Sequence, residues 1–263
     1  MNSSDVARQY KNASNLDSRI SLHGKFSTNP QDWHEWLFEQ LEIAPESRIL
    51  ELGCGSGVFW LKNRSRIPES WEVLLSDFSS GMLEDAILHL AEMDHDFAYQ
   101  EIDAQSIPYP VDSFDVVIAN HMLYHVPDRA KALSEIRRVL KPDGVFYAST
   151  IGKDHMKEIE EMVADFDPNI QYASFEGADD FGLESGADQL SEFFSQVQMK
   201  RFECHLKVTE VPPLVAYILS TGDIKKDGLA GERLAAFHDF LEKKMPGNGA
   251  IHITKDTGFF TAK

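Results

Sequence analysis

A run of glycines between an apolar strand and an apolar helix constrains this chain more than any other feature. Residues 49–57 read ILELGCGSG, so the short apolar stretch Arg48–Leu52 leads straight into Gly53, Gly55 and Gly57. Glycines at a strand-to-helix turn let backbone N–H groups approach a ligand, and the helix N-terminus that follows favours an anionic group. Tight packing alone also selects such turns, so the spacing has to discriminate. A dinucleotide fingerprint would place its third glycine at position 58, which is Val58 here. No loop ending in Gly-Lys-Ser/Thr occurs either, which leaves ATP and GTP chemistry without support.

The chain around this turn alternates strand and helix signals, the pattern of parallel βαβ units. Trp33, Trp36, Leu37 and Leu41 have helical spacing, with Pro45 expected to end that helix. Strands are expected at 48–52, 71–76, 97–102, 114–119 and 145–150, with helices starting near 58 and spanning 80–90. The continuous apolar run Phe114–Ala119 is that of a strand covered on both faces. Asp128 can cap a helix whose Leu133, Ile136, Val139 and Leu140 share one face, and Lys141–Gly144 reads as its stop and turn. After Gly152 the rhythm changes to interrupted helices as far as about 195. Two more strands are expected at 202–209 and 250–260. Four segments follow: an N-terminal arm and helix over 1–44 that could cap a site, a core over 45–152, a helical insertion or lid over 153–198, and a return to the core sheet, with its own helical insertion, over 199–263.

Charge narrows the partners. Against 25 Lys and Arg stand 43 Asp and Glu, a net charge of −18, with only short basic clusters at 62–66, 137–141 and 225–226. Such a balance works against binding nucleic acid or an anionic membrane surface. The first thirty residues lack a signal-peptide core, and no apolar run approaches the ~20 residues that span a bilayer. Cys54 lies inside the glycine turn, far in sequence from Cys204, so a structural disulfide is not expected. A cytoplasmic protein without nucleic-acid or membrane partners is the expectation.

Two carboxylates recur at later strand ends. Asp77, twenty residues after Gly57, can accept both hydroxyls of a ribose, although capping a helix is the plainer role for an isolated Asp. Asp103, followed by Ala104, can accept from an adenine amino group while the next backbone N–H meets a ring nitrogen; a turn before Pro108 is the alternative. In order at successive strand ends, these positions fall where open α/β sheets bind ligands.

The segments ILELGCGSG, LLSDFSSGML, DAQSIPYPVDSFDVVIAN and HVPDRAKALSEIRRVLKPDG, with FYAST after them, resemble class I S-adenosylmethionine-dependent methyltransferases, most closely the ubiquinone/menaquinone and small-molecule subgroup. The resemblance covers about 45–152. It implies a Rossmann-like, doubly wound α/β sheet of seven mostly parallel strands in the order 3-2-1-4-5-7-6, the last antiparallel, with a helical cap. It also implies S-adenosylmethionine as cofactor and S-adenosylhomocysteine as product. Glu51, Gly53, Gly55 and Gly57 would surround the methionine part, Asp77 the ribose, Phe78 and Met82 the adenine, and Asp103 and Ala104 the adenine edge. Asn120 would line the methionine end through its backbone. Asp143 replaces a glycine common in relatives, at a turn far from this region.

Methyl transfer needs mainly alignment, and a base only when the acceptor must lose a proton. His121, Tyr124 and His125 follow the fourth strand where a methyl group would emerge, and each could equally shape the wall. The His121/His125 spacing would suit a metal on a helix, but Pro127 and the lack of a spaced carboxylate argue against one. His34 and Glu35 do not complete a metalloprotease motif, because position 38 is Phe38. Arg19, His23, Lys25 and Phe26 could fold over the cofactor or belong to a loose terminus. Phe193, Phe194 and Tyr217 read as cap core before acceptor wall. The expected function is methyl transfer to a small-molecule acceptor. A non-catalytic S-adenosylmethionine-binding subunit is the rival, and a nicotinamide oxidoreductase or a macromolecular methyltransferase are more distant ones.

Overall fold

Apolar side chains pointing to both sides of one sheet organise the fold. The computed structural model describes residues 14–170, 172, 180–220, 224, 228–245 and 249–263, with backbone alone for 14–19. Five strands run parallel: Arg48–Leu52 (β1), Glu72–Asp77 (β2), Phe97–Glu101 (β3), Phe114–Asn120 (β4) and Leu140–Ile151 (β5). Val197–Arg201 (β6) and Thr257–Ala262 (β9) complete the sheet in the order β3-β2-β1-β4-β5-β9-β6, with β9 antiparallel to both neighbours. The seven-stranded, mostly parallel order is the expected one.

Burial on both faces explains why these strands read as continuous apolar runs. On one face Leu50, Leu52, Val117, Ala119, Phe146 and Phe260 pack with Arg129–Val139 (α5) and Gly186–Ser191 (α7). On the other, Ile49, Val73, Leu75, Val116 and Ile118 pack with Trp33–Glu39 (α2), Val58–Lys62 (α3) and Ser80–Leu90 (α4). Each such side chain, once buried, stabilises by about 1.5–3 kcal/mol. Caps fix the helix starts: Asp32, Ser79 and Asp128 accept from the backbone N–H of His34, Met82 and Lys131.

A second apolar cluster stands apart from the sheet. It joins Ser14–Phe26 (α1), Lys157–Phe166 (α6), Val211–Ser220 (α8) and Gly231–Lys244 (α9) to an antiparallel pair, Cys204–Val208 (β7) with Ile251–Lys255 (β8). Leu22, Leu206, Leu214, Phe237 and Ile253 are nearly inaccessible in it. This cap is therefore assembled from both ends of the chain as well as from the segment after β5.

Several sequence-based boundaries change. The expected strand 202–209 shortens to β7, which belongs to the cap, whereas 250–260 divides at Asp256 into β8 in the cap and β9 in the main sheet, where β9 pairs with the unforeseen β6. β6 (VQMKR) is short and mostly exposed, with only Val197 partly buried, which hid it. The first sheet-facing helix stops at Glu39, well before Pro45, and the Glu42 N–H then donates to the Tyr147 hydroxyl at 2.9 Å. Lys141–Gly144 is no free turn: β5 starts at Leu140, extended as a residue near a proline prefers, and a register shift at Phe114/Val116 absorbs the extra length. The insertion 153–198 divides between the two bodies, as Met156, Ile159 and Met162 enter the cap whereas Leu183, Leu190 and Phe194 pack on the sheet. Phe194, with Phe193 beside it, is thus sheet core rather than cap core, and Tyr217 alone of that trio belongs to the cap.

Candidate active site

A cavity of about 460 Å³ lies between the carboxyl ends of β1–β4 and the cap. The turn after β1 forms its floor. Gly53 has φ +70°, and a Cβ there would sit 2.8 Å from Met122 Cβ, so only glycine lets the two loops close on each other. Gly57, φ +76°, faces away: its Cβ would meet Leu90 and Ala86 of α4. Of the three predicted turn glycines, Gly53 and Gly55 line the cavity, while Gly57 packs the turn against a helix.

Strand register sets Glu51 and Asn120 side by side. Glu51 pairs with Ile118, two residues before Asn120 and hence on the same face. The Asn120 amide donates to Glu51 Oε1 at 2.9 Å and the Trp60 indole N–H to Oε2 at 2.6 Å. Burial pushes the Glu51 carboxyl up to about 7, the nearby Asp77 charge adds to this, and the two hydrogen bonds oppose it. Asp77 ends β2 and ties the floor together, since its Oδ2 accepts the Gly55 N–H at 2.9 Å and Oδ1 the Ser79 N–H at 2.8 Å. Burial raises this carboxyl too, against the pull of the Ser79, Gly55 and Phe78 amides. Burial, with the Glu51 and Asp77 charges behind it, pushes the Cys54 thiol well up, which keeps it protonated and poorly nucleophilic.

Phe78, half exposed, and Met82, buried, flank Asp77 along the cavity. Asp103 and Ala104 line it beyond β3, but Asp103 Oδ1 already accepts from the Gln105 backbone N–H at 2.9 Å and its amide at 3.0 Å. After β4 the chain turns sharply. His121 has a left-handed backbone, φ +50°, held by its N–H donating to the Ser149 carbonyl at 3.1 Å; non-glycine residues adopt this conformation rarely and at some cost. Leu123–His125 then forms a single 3-10 turn, so His121 and His125 lack the helical i, i+4 geometry a metal pair would use. Both line the cavity with Tyr124, whose ring meets His125 edge-on at 4.6 Å. Burial drives His121 down to about 3, with His155, His34 and Lys255 contributing repulsion in that order.

The cap and the start of α2 supply the opposite wall, which sequence reasoning largely missed. His23 (α1), Trp33 and His34 (α2), His155, Tyr217 (α8) and Lys255 (β8) all face the same space. His23, named in the arm as a residue that could fold over the site, is there. Phe26 instead joins the cap core and Lys25 pairs with Glu210, while the side chain of Arg19 lies outside the described residues. Burial, then the Lys255 charge, pushes His155 to about 3. Among the described residues no helix is long and apolar enough to cross a membrane.

Comparison with known proteins places this geometry. Residues 50–148, from β1 to β5, match the family profile described as a methyltransferase domain. The chain is 31% identical to the demethylmenaquinone methyltransferase of Lactobacillus johnsonii over 141 residues, 53% of this chain and 54% of that protein. It is 27% identical to the biotin biosynthesis bifunctional protein BioHC of Saccharophagus degradans, over 98% of this chain and 46% of that one. The chain thus spans about half the length of the curated relatives it matches. The crystal structure of the [4+2]-cyclase SpnF superposes with a TM-score of 0.56 at 17% identity, covering 98% of this chain and 95% of that one, a likeness of fold alone. With the glycine turn, the acidic strand ends and the matched profile in one continuous segment, residues 50–148 form a methyltransferase domain similar to that of a demethylmenaquinone methyltransferase.

Proposed function

We propose that this chain transfers a methyl group from S-adenosylmethionine to a small-molecule acceptor that lies against the cap wall, with S-adenosylhomocysteine as the product. One observation carries the reading: carboxylates at the ends of β1, β2 and β3, with a glycine turn between the first two, line one side of a single cavity. The residues suit the cofactor. Gly53 lets the turn close against Met122, and the buried Ser56 hydroxyl in the lining has no hydrogen-bond partner among the described residues.

Glu51, Gly53, Gly55 and the Asn120 backbone would hold the methionine part. Asp77 would accept the ribose hydroxyls, Phe78 and Met82 would pack on the adenine, and Asp103 and Ala104 would meet its edge. Gly57 would act indirectly, by fixing the turn to α4. Bound there, S-adenosylmethionine supplies an electrophilic methyl group whose sulfide leaving group is already in place. The remaining work of the chain is alignment and exclusion of water, for which a cavity set between sheet and cap is suited. His121, neutral because burial holds it near 3, accepts a proton poorly and serves as wall. His125 and Tyr124 face the same space and are the groups to receive a proton from an acceptor that must lose one.

Calorimetric titration with S-adenosylhomocysteine and with NAD tests the cofactor assignment, and turnover of labelled methyl donor on an acceptor panel tests the reaction. Binding of S-adenosylhomocysteine alone is expected, and Asp77→Ala should weaken it by about 1–3 kcal/mol through loss of hydrogen bonds to a charged group. Binding of NAD alone overturns the assignment. Binding without turnover of any acceptor indicates a cofactor-binding subunit.

A further inference from the structure

The cap wall holds a cation that no carboxylate among the described residues pairs with. Lys255, at the end of β8, lines the cavity, with its ammonium 5.4 Å from the centre of the Phe202 ring. Among the described residues no carboxylate comes within ion-pairing distance of it. The groups whose charge reaches it are Cys204, its partner across the β7–β8 pair, and then Asp32, which is already engaged by the His34 backbone N–H at 2.8 Å, the His34 ring at 3.0 Å and Lys62 at 3.5 Å. A chain with 43 acidic residues and a net charge of −18 does not lack carboxylates to set against a lysine. Largely buried ammonium groups are ordinarily paired, because an isolated charge in a low-dielectric site is costly.

A second group beside it is also unsatisfied. His23 faces the cavity from α1, and its Nδ1 is buried with no hydrogen-bond partner among the described residues. Its ring lies 6.0 Å from that of His155 and 5.7 Å, edge-on, from Tyr217. Buried polar atoms in native proteins are nearly always bonded, so an orphan aimed at a cavity points to a ligand that completes it. Burial pushes both Lys255 and His23 down, and the Lys255 charge deepens the effect on His23. An anion seated between them would relieve both.

We propose that Lys255 and His23 form an anion subsite that receives a carboxylate or phosphate group of the methyl acceptor. This rests on the methyl-transfer reading above and names the substrate class for it: a small acceptor with an anionic oxygen group at one end and its methylated atom at the other. His121 and Trp33, whose rings lie 5.4 Å apart, line the stretch towards the Asn120 end of the sheet, so an acceptor anchored at Lys255 would present its far end to the turn after β4.

The test measures binding without turnover. Benzoate, phenyl phosphate and neutral benzamide are titrated calorimetrically into wild type, Lys255→Met and Lys255→Arg, each saturated with S-adenosylhomocysteine. If S-adenosylhomocysteine itself fails to bind, the cofactor reading falls, and the same titrations on ligand-free protein still decide the subsite. At least one anion is expected to bind wild type tenfold or more tighter than benzamide. That preference should vanish in Lys255→Met and persist in Lys255→Arg. Preference for benzoate identifies a carboxylate acceptor, and preference for phenyl phosphate a phosphorylated one. Equal binding of the three probes to wild type, binding of none, or an anion preference undiminished in Lys255→Met overturns the proposal. Should Lys255→Met fail to fold, the comparison of probes on wild type decides alone.

Discussion

The two walls of the cavity are opposites in charge and in construction. The sheet wall is acidic, and its acids are tied into the protein: Glu51 accepts from Trp60 and Asn120, Asp77 from Gly55 and Ser79, Asp103 from Gln105. The opposite wall carries Lys255 and a group of imidazoles, and among the described residues Lys255 has no carboxylate partner and His23 Nδ1 no hydrogen-bond partner. One wall is preorganised by strand register and backbone amides, which suits an invariant cofactor. The other leaves polar groups for a ligand to complete, the arrangement that gives a site its selectivity, since an analogue lacking the matching group leaves them unpaired.

Stability should divide along the same line. Leu22 of α1 is fully buried in the cap cluster and touches none of the sheet faces. Leu22→Ala should cost about 2–5 kcal/mol by loss of apolar burial and creation of a cavity. Denaturant unfolding of the variant, followed by tryptophan fluorescence, measures this. All four tryptophans, Trp33, Trp36, Trp60 and Trp71, belong to or pack against the sheet-side cluster. A loss below 1 kcal/mol would mean that α1 is not an integral part of the cap.

The walls should also respond to pH with opposite sign. His155 has an unfolded value near 6.5 and is held at about 3 when folded. Below 6.5 the unfolded chain therefore binds a proton that the folded one refuses, and stability falls as pH drops. Between pH 6.5 and 5 the loss is about 2 kcal/mol, at about 1.4 kcal/mol per pH unit. Glu51 runs the other way. Its folded value is about 7 against 4.5 unfolded, so the folded state holds the extra proton between those values and loses that advantage as pH rises towards 7, by about 2 kcal/mol between pH 5 and 7. Urea unfolding of His155→Gln at pH 5 and pH 7 should show a smaller loss on acidification than wild type, by about 2 kcal/mol. Glu51→Gln should show a larger one. Identical pH slopes in both variants and wild type would remove the assigned asymmetry.

The sequence disclosed the sheet wall because each of its groups lies at the end of a local element with its own signature. Glu51 precedes the glycines, Asp77 closes an apolar strand before the Ser79 cap, and Asp103 follows the next strand; register then brings together what lies some 25 residues apart. Lys255 has no such signature. It ends IHITK, an unremarkable strand, and meets His23, more than two hundred residues away, only because α1 packs with β7 and β8 in the cap cluster. His155 is likewise a loop residue with no motif around it. Gly57 is the reverse case, a motif residue whose lack of a Cβ the packing of the turn against α4 requires. Strand β6 escaped because an exposed edge strand needs no apolar alternation, whereas helix α4 was legible to both ends because its Ser79 cap and buried Met82, Leu83, Ala86 and Leu90 agree.

The smallest expected effect separates contact from construction in the same arm. Lys25 and Glu210 approach to 2.6 Å, an ion pair from α1 to the residue before α8. Both side chains are about half exposed, so water and salt screen their attraction, and holding two long side chains in one geometry costs entropy. Lys25→Ala should therefore lower stability by less than about 1 kcal/mol at 0.15 M salt, in contrast to Leu22→Ala three residues earlier. A double-mutant cycle with Glu210→Ala, measured by urea unfolding at low and high salt, isolates the pair. A coupling above 2 kcal/mol that salt leaves unchanged would mean that this ion pair, and not the burial of Leu22 and Phe26, fastens the arm over the cavity.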